Sequence, residues 1–154
     1  ALVPPRVLPR SPRLALEPWR SEAPRTVGWA IAACVAARTS LLRALGPFDP
    51  TAFLFYEDLD LCLRARAAGV PTELRPEAVL VHHGGHATVP AFGGEAFELQ
   101  ARRRREVVGA NLGRRALRLD DVAQALTFAA RGAAGRERER NLAALRAALR
   151  SRRG

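Results

Sequence analysis

The sequence contains no methionine and no lysine, so all 25 of its basic residues are arginines. A native translation start would supply a methionine, and we therefore expect this chain to be a fragment or a processed piece of a longer protein. With only 15 acidic residues, the formal net charge is +10. An excess of this size attracts phosphate-rich partners, which include nucleotide diphosphates, anionic lipid head groups and nucleic acid.

Cysteines and long apolar runs are also scarce. Cys34 and Cys62 are the only cysteines and lack the spacing of metal ligands, which favours core thiols in a reducing compartment over a disulfide. No apolar run approaches the roughly 20 residues that span a bilayer, and no signal-peptide pattern opens the chain. These absences predict a cytoplasmic protein, with peripheral contact at the inner membrane face left open.

A length of 154 residues with 48% hydrophobic content suits one small domain. Residues 1–26 are rich in proline and arginine, which predicts a loop or linker. The apolar run Val27 to Ala37 predicts a buried strand, and Thr72 to Leu74 and Ala78 to Val81 predict two short strands. Considered by residue type alone, Trp29 within the apolar run is predicted to be a core residue. Thr39 is expected to cap a short helix that ends near Leu45.

The most informative stretch begins with an aromatic run, Phe53 to Tyr56, which predicts a strand. Helical spacing of apolar residues and a stop at Gly69 then predict a helix over about Glu57 to Ala68. Glu57, Asp58 and Asp60 crowd its first turn, where the helix dipole favours anions. Acidic residues at this position can simply start a helix. A strand that meets a helix N-terminus is, however, a common location for reactive groups.

Two segments in this order resemble the acceptor side of family 2 glycosyltransferases of the rhamnosyltransferase type. The first runs from Gly46 to Arg64 and contains the pattern Glu-Asp-x-Asp-x-Cys-x-Arg; the second runs from Pro76 to Thr88 and contains Pro-x-Ala, then His82 and a Gly-Gly pair. The resemblance covers roughly Val27 to Thr88. Pro47 and Pro50 depart from the family pattern, which affects the acceptor loop more than the chemistry.

The resemblance implies an α/β fold, namely the C-terminal part of a GT-A fold with a few short strands and helices, followed by a helical tail. The acceptor and catalytic half would occupy residues 27–91 and the tail residues 92–154. A sugar would pass, with inversion, from a nucleotide-diphospho-sugar donor to a hydroxyl of a glycan or lipid-linked acceptor.

The resemblance also implies roles for particular residues. Asp58 is the expected general base, with Glu57 beside it as a second catalytic residue. The other expected site residues are Trp29, Asp60 and Arg64 for substrate and His82 for a divalent metal, Mn²⁺ or Mg²⁺. The remaining metal ligands, an Asp-x-Asp motif, would come from a donor-binding half outside this chain. Without that half, we expect the chain to be inactive.

The tail is predicted to contain three helices: one over Glu95 to Leu112, one that opens at Asp120-Asp121, and one over Glu137 to Arg152 with Leu142, Leu145 and Leu149 inside. The cluster Arg102 to Arg105 is expected to be either a solvated face or a contact with phosphate or lipid. The tail as a whole is expected to be a lid or a pair of helices on the membrane surface. Two other functions remain open, a basic nucleic-acid-binding module and a non-catalytic membrane-associated remnant. Nucleic acid is disfavoured because no reader motif is present.

Overall fold

A computed structural model describes residues 17–46, 48, 54–82, 96–135 and 137–152. The chain folds as two compact units, the first ending at His82 and the second beginning at His83. The first unit contains a 3₁₀ turn (Pro18–Arg20), strand β1 (Arg25–Val27), helix α1 (Thr39–Leu45), helix α2 (Glu57–Ala67) and strand β2 (Thr72–Leu74); the second contains helices α3 (Phe97–Ala133) and α4 (Arg138–Ser151). The described residues are therefore mostly helical, with two short strands, which is compatible with part of an α/β domain.

Strands β1 and β2 pair antiparallel, with Val27 opposite Thr72 and Arg25 opposite Leu74. This confirms the predicted strand at residues 72–74. The strand predicted over Val27 to Ala37 is wrong, because the chain leaves β1 after Val27 and residues 28–38 form no regular structure. A strand needs a neighbour along its length to satisfy its backbone groups, and the only strand paired with β1 in the described residues is three residues long. Ile31 is 66% exposed as a result.

Two further strand predictions are wrong. Phe55 and Tyr56 have φ values of 72° and 65°, in the left-handed region, so residues 54–56 bend instead of extending; Phe53 lies outside the described residues. Val79, Leu80 and Val81 are exposed and form no ladder. In both places the sequence has strand-forming residues, but the described part of the chain offers no strand beside them.

Helix α2 agrees with its prediction to within one residue. Its end is a Schellman motif: Gly69 has φ 77° and donates to the Arg66 carbonyl, and the Val70 N–H donates to the Ala65 carbonyl. Helix α1 also forms as predicted, but Arg38 is its N-cap residue and no side chain caps it. The capping role predicted for Thr39 is therefore wrong.

Helix α3 folds back on itself at Gly113, whose φ of 79° and ψ of 175° are not helical. Residues equally distant from Gly113 face each other: a Cβ on Gly109 would lie 3.4 Å from Leu117 Cδ2, and Arg105 pairs with Asp121. We call residues 97–112 the first arm and residues 114–133 the second arm. Asp120 and Asp121 thus lie inside the second arm, and the prediction that they open a helix is wrong because their carboxylates pair with arginines of the first arm.

Helix α4 packs against α3 through small residues. A Cβ on Gly132 would lie 3.4 Å from Leu142 Cδ2, and Ala144 and Ala147 are buried. An ion pair between Arg150 and Glu98, at 2.7 Å, ties the end of α4 to the start of α3. Leu149, predicted to face inward, is exposed because the inward positions are taken by alanines. No described helix is both long and apolar enough to cross a membrane.

Candidate active site

A strained corner of the backbone leads into helix α2. Phe55 and Tyr56 are consecutive residues with left-handed φ, and Tyr56 is the N-cap of α2. This conformation is unfavourable for side chains with a Cβ and occurs preferentially at binding and catalytic sites. The corner places Glu57, Asp58 and Asp60 in the first turn, next to the positive end of the helix dipole.

The Asp58 carboxylate is held by two backbone N–H groups. Its Oδ1 accepts from the Leu59 N–H at 2.7 Å, and its Oδ2 accepts from the Ala32 N–H at 3.0 Å. An ionised carboxylate offers about four acceptor positions, so capacity for a substrate hydroxyl remains on both oxygens. The Asp58 side chain is therefore held in one orientation and can still accept a further hydrogen bond.

The Ala32 contact brings the irregular apolar loop of residues 28–38 to the start of α2. The rings of Trp29 and Tyr56 lie with their centroids 6.1 Å apart and their planes inclined by 31°. Trp29 is 41% exposed, so its interpretation as a core residue is wrong. Nearby, the Cys62 thiol lies 3.9 Å from the Ala30 carbonyl. The structure thus places Trp29, Tyr56 and Asp58 at one corner.

Glu57 contributes an unusual group to this corner. Its Oε2 is buried and has no hydrogen-bond partner among the described residues. Leaving a buried carboxylate oxygen without a partner costs on the order of 1–3 kcal/mol. Such an atom is suited to accept a hydrogen bond from a ligand or from a part of the protein outside the described residues.

Asp60 and Arg64 have a structural task in this arrangement. Arg64 Nε donates to Asp60 Oδ2 at 2.7 Å, and Arg64 Nη1 donates to the carbonyls of Leu45 at 2.5 Å and Gly46 at 3.1 Å. The arginine therefore caps the C-terminal end of α1 and holds it against α2. The substrate contacts expected for these two residues stay predictions.

The expected metal ligand, His82, is an exposed residue at the end of the first unit. No group of three His, Cys, Asp or Glu side chains in the described ranges is placed to hold a metal ion. The assignment of His82 as a metal ligand stays a prediction. His83, Gly84, Gly85 and His86 lie outside the described residues.

Other sequence expectations near the corner have mixed outcomes. Cys62 is buried and free, as predicted. Cys34 is free but exposed, so its interpretation as a core thiol is wrong. Sequence reasoning does not single out Tyr56, which belongs to a predicted strand, whereas the structure places it at the corner beside Trp29. Sequence reasoning also missed the Ala32 N–H, for which the side-chain pattern carries no signal.

Comparison with known proteins gives one line of similarity. A 64-residue segment is 40% identical to N-acetylglucosaminyl-diphospho-decaprenol L-rhamnosyltransferase of Mycobacterium tuberculosis, in the strains CDC 1551 / Oshkosh and ATCC 25618 / H37Rv. This similarity supports a relationship to glycosyltransferases. The matched segment covers 42% of this chain but only 21% of the mycobacterial relative.

The other comparisons add no support. No protein-family model matches the chain. No solved structure matches it either. The GT-A fold therefore stays a prediction, and the activity of the whole relative passes to this chain only as a proposal.

Proposed function

We propose that this chain carries the acceptor side and the general base of an inverting glycosyltransferase of the family 2, rhamnosyltransferase-like type. The observation that carries the proposal is the corner at the start of α2, where Asp58 is fixed by the Ala32 N–H beside the exposed ring of Trp29. The similarity of a 64-residue segment to a rhamnosyltransferase supports the same class of reaction.

The chemistry requires a base at this position. A sugar hydroxyl ionises far above neutral pH, so a carboxylate must accept its proton as the oxygen attacks the anomeric carbon. In our proposal, Asp58 accepts that proton, the new glycosidic bond forms on the face opposite the donor's leaving group, and the nucleoside diphosphate departs with the electron pair of the broken bond. Asp58 has free acceptor capacity for this step, since backbone N–H groups occupy only part of it.

The neighbouring residues would position the acceptor. An exposed indole offers a flat apolar surface for a sugar ring, and Trp29 lies beside Tyr56 in that role. The buried Oε2 of Glu57 would accept a hydrogen bond from a second hydroxyl of the acceptor sugar. Asp60 and Arg64 would then contribute mainly by holding α1 against the start of α2. The acceptor is proposed to be a glycan or a lipid-linked sugar.

The donor-binding half is proposed to lie outside this chain. An apolar groove of about 160 Å³ opens between three elements: the loop that follows β1, helix α1 and helix α2. Its lining residues include Cys34, Val35 and Leu41. Among the described residues of the first unit, the buried apolar side chains all belong to α2. A further layer of protein would cover this groove. We propose that it binds the nucleotide-sugar and supplies the metal ligands that would join His82, so that the chain alone is inactive and binds nucleotide-sugars weakly.

A chimera tests the proposal. Residues 27–88 of this chain replace the corresponding segment of the mycobacterial rhamnosyltransferase, and transfer of rhamnose to that enzyme's own acceptor is measured. The control is the same chimera with the order of the inserted residues 54–64 scrambled. Activity well above the scrambled control supports the proposal. A folded chimera that is no more active than the control would instead support a non-catalytic remnant.

A further inference from the structure

The exposed face of the second arm carries no negative charge. Its exposed residues are all arginine or apolar: Arg114, Arg115, Arg118, Leu119, Val122, Ala123, Leu126, Ala129, Arg131 and Ala133. Leu119, Val122 and Leu126 are 74%, 48% and 54% exposed. A helix of a water-soluble protein normally buries its apolar face and exposes its charged one. The second arm instead exposes large apolar side chains together with its arginines.

The acidic residues of the same arm are turned inward. Asp121 is buried and pairs with Arg105 of the first arm, and Asp120 pairs with Arg104. These pairs use the carboxylates that would otherwise repel an anionic surface. The exposed side of the arm therefore has arginines near its start, at Arg114, Arg115 and Arg118, and an apolar stripe that includes Leu119, Val122 and Leu126.

The cluster Arg102 to Arg105, which the sequence offered as a contact for phosphate or lipid, is largely engaged within the unit. Arg103 pairs with Glu106 at 2.8 Å, and Arg104 and Arg105 hold the two arms together. The exposed arginines of the second arm are thus better placed for an external partner than the cluster that stands out in the sequence.

The stripe and the positive charges lie on the same side of the helix. Positions 115, 118, 122, 126 and 129 follow one another at intervals of three or four residues, the spacing that repeats along one face of a helix, and position 119 lies four residues after 115 and three before 122. We define the arginine–leucine face as Arg115, Arg118, Leu119, Val122, Leu126 and Ala129. The 20 residues of the second arm extend about 30 Å, and no described helix is apolar enough to cross a bilayer. The geometry suits a helix that lies flat on a surface.

We infer that the arginine–leucine face docks on an anionic lipid surface, with its leucines in the head-group boundary and its arginines on lipid phosphates. Charge complementarity selects this occupant: a neutral apolar protein surface would leave the arginines unused, and a nucleic acid would leave the leucines in water. The inference rests on the second arm alone and is independent of the proposed transferase activity.

The test measures binding of the whole 154-residue chain to vesicles of phosphatidylcholine with and without phosphatidylglycerol. Binding is expected only to the anionic vesicles and should weaken as salt is added. Leu119→Gln/Leu126→Gln should lower the partition coefficient by about 10-fold or more, since it removes the apolar part of the contact. Leu80→Gln/Leu149→Gln removes two exposed leucines outside this face; it is the matched control and should change the partition coefficient little.

Arg115→Gln/Arg118→Gln should also lower the partition coefficient by about 10-fold or more, because each basic residue at a lipid surface contributes roughly a fivefold factor. Arg102→Gln/Arg138→Gln removes the same charge from exposed positions elsewhere and should have a much smaller effect. All variants replace exposed side chains, and circular dichroism is used to check that they remain helical.

Four results would overturn the inference. The first is no binding to anionic vesicles, and the second is an equal loss of vesicle binding in the variants and their matched controls. The third is vesicle binding that depends on the arginines but not on the leucines. The fourth is a concentration-dependent dimer that Leu119→Gln/Leu126→Gln dissociates. The third result would indicate a general polyanion, such as nucleic acid. The fourth would assign the face to a second copy of the chain.

Discussion

The Asp58 carboxylate accepts a hydrogen bond from the Ala32 N–H, which lies 26 residues earlier in the chain, at 3.0 Å. This contact joins an exposed apolar loop to the first turn of α2 and sets Trp29 beside Tyr56. The candidate base and the candidate sugar platform are therefore coupled through the backbone of the loop.

The coupling predicts how Trp29 responds to changes at Asp58. Asp58→Ala removes the acceptor of the Ala32 N–H, so the loop should loosen and Trp29 should become more accessible. Asp58→Asn keeps an oxygen that can accept this bond and should change the accessibility much less. Acrylamide quenching measures this in a Trp19→Phe background, where Trp29 is the remaining tryptophan. Equal quenching in the two variants would show that the hydrogen bond does not position the loop.

Arg64 should matter for the stability of the first unit. Arg64→Met removes its bonds to the carbonyls of Leu45 and Gly46 and to Asp60, and we expect a loss of about 1–3 kcal/mol in the free energy of unfolding. Arg66→Met, at an exposed position two residues later, should cost little. Urea denaturation of both variants measures the difference. Similar stabilities would mean that Arg64 does not hold α1 in place.

The Asp120 carboxyl should give the second unit a distinctive pH dependence. Burial raises the pKa of Asp120 above its ordinary value of 3.8, although Arg104 opposes the shift. The folded state therefore holds this proton more tightly than the unfolded state. The resulting stabilisation is complete below the ordinary pKa and is lost as the pH rises through the raised one.

Asp120→Asn provides the control for this prediction, since it removes this one titrating carboxyl and keeps the size of the side chain. The stability of the wild type relative to Asp120→Asn should be greater at about pH 4 than at pH 7. Chemical denaturation of both proteins at the two pH values measures this difference in the free energy of unfolding. The opposite change would mean that the ion pair with Arg104 outweighs the cost of burial.

The sequence predicted the helices well, because their signals are local. The end of α2 follows from Gly69, and α1 and α4 follow from apolar spacing and glycines at their ends. The first tail helix ends at Leu112 as predicted, directly before the break at Gly113, but the next helix begins immediately after Gly113 and not at Asp120. Two distant ion pairs, Arg104 to Asp120 and Arg105 to Asp121, accompany the reversal here.

The strand predictions over residues 27–37, 53–56 and 78–81 failed for a different reason. An apolar run such as residues 27–37 indicates burial, but a strand also needs a partner, and the partner is not encoded in the run itself. The candidate site was only partly predictable on the same grounds. Asp58 and Glu57 stand out as acids at a helix start, whereas the left-handed corner at Tyr56 and the Ala32 contact depend on tertiary structure.

The histidine assignment has its own test in the chimera described above. If His82 binds the divalent cation, His82→Ala should raise the Mn²⁺ or Mg²⁺ concentration needed for half-maximal turnover, and His83→Ala should do so much less. A nitrogen ligand suits Mn²⁺ better than Mg²⁺, so the wild-type chimera should favour Mn²⁺. A larger effect from His83→Ala would identify that residue as the ligand instead.

The most direct test of the account compares turnover of the chimera with Asp58→Asn and with Glu57→Gln. Asparagine retains the shape of Asp58 and an acceptor for the Ala32 N–H but cannot accept the hydroxyl proton. Loss of a positioned general base typically costs about 10²–10⁴-fold, and we predict a loss of this size for Asp58→Asn with a much smaller one for Glu57→Gln. Small and equal losses in the two variants, with both proteins folded, would contradict the assignment of Asp58 as the base.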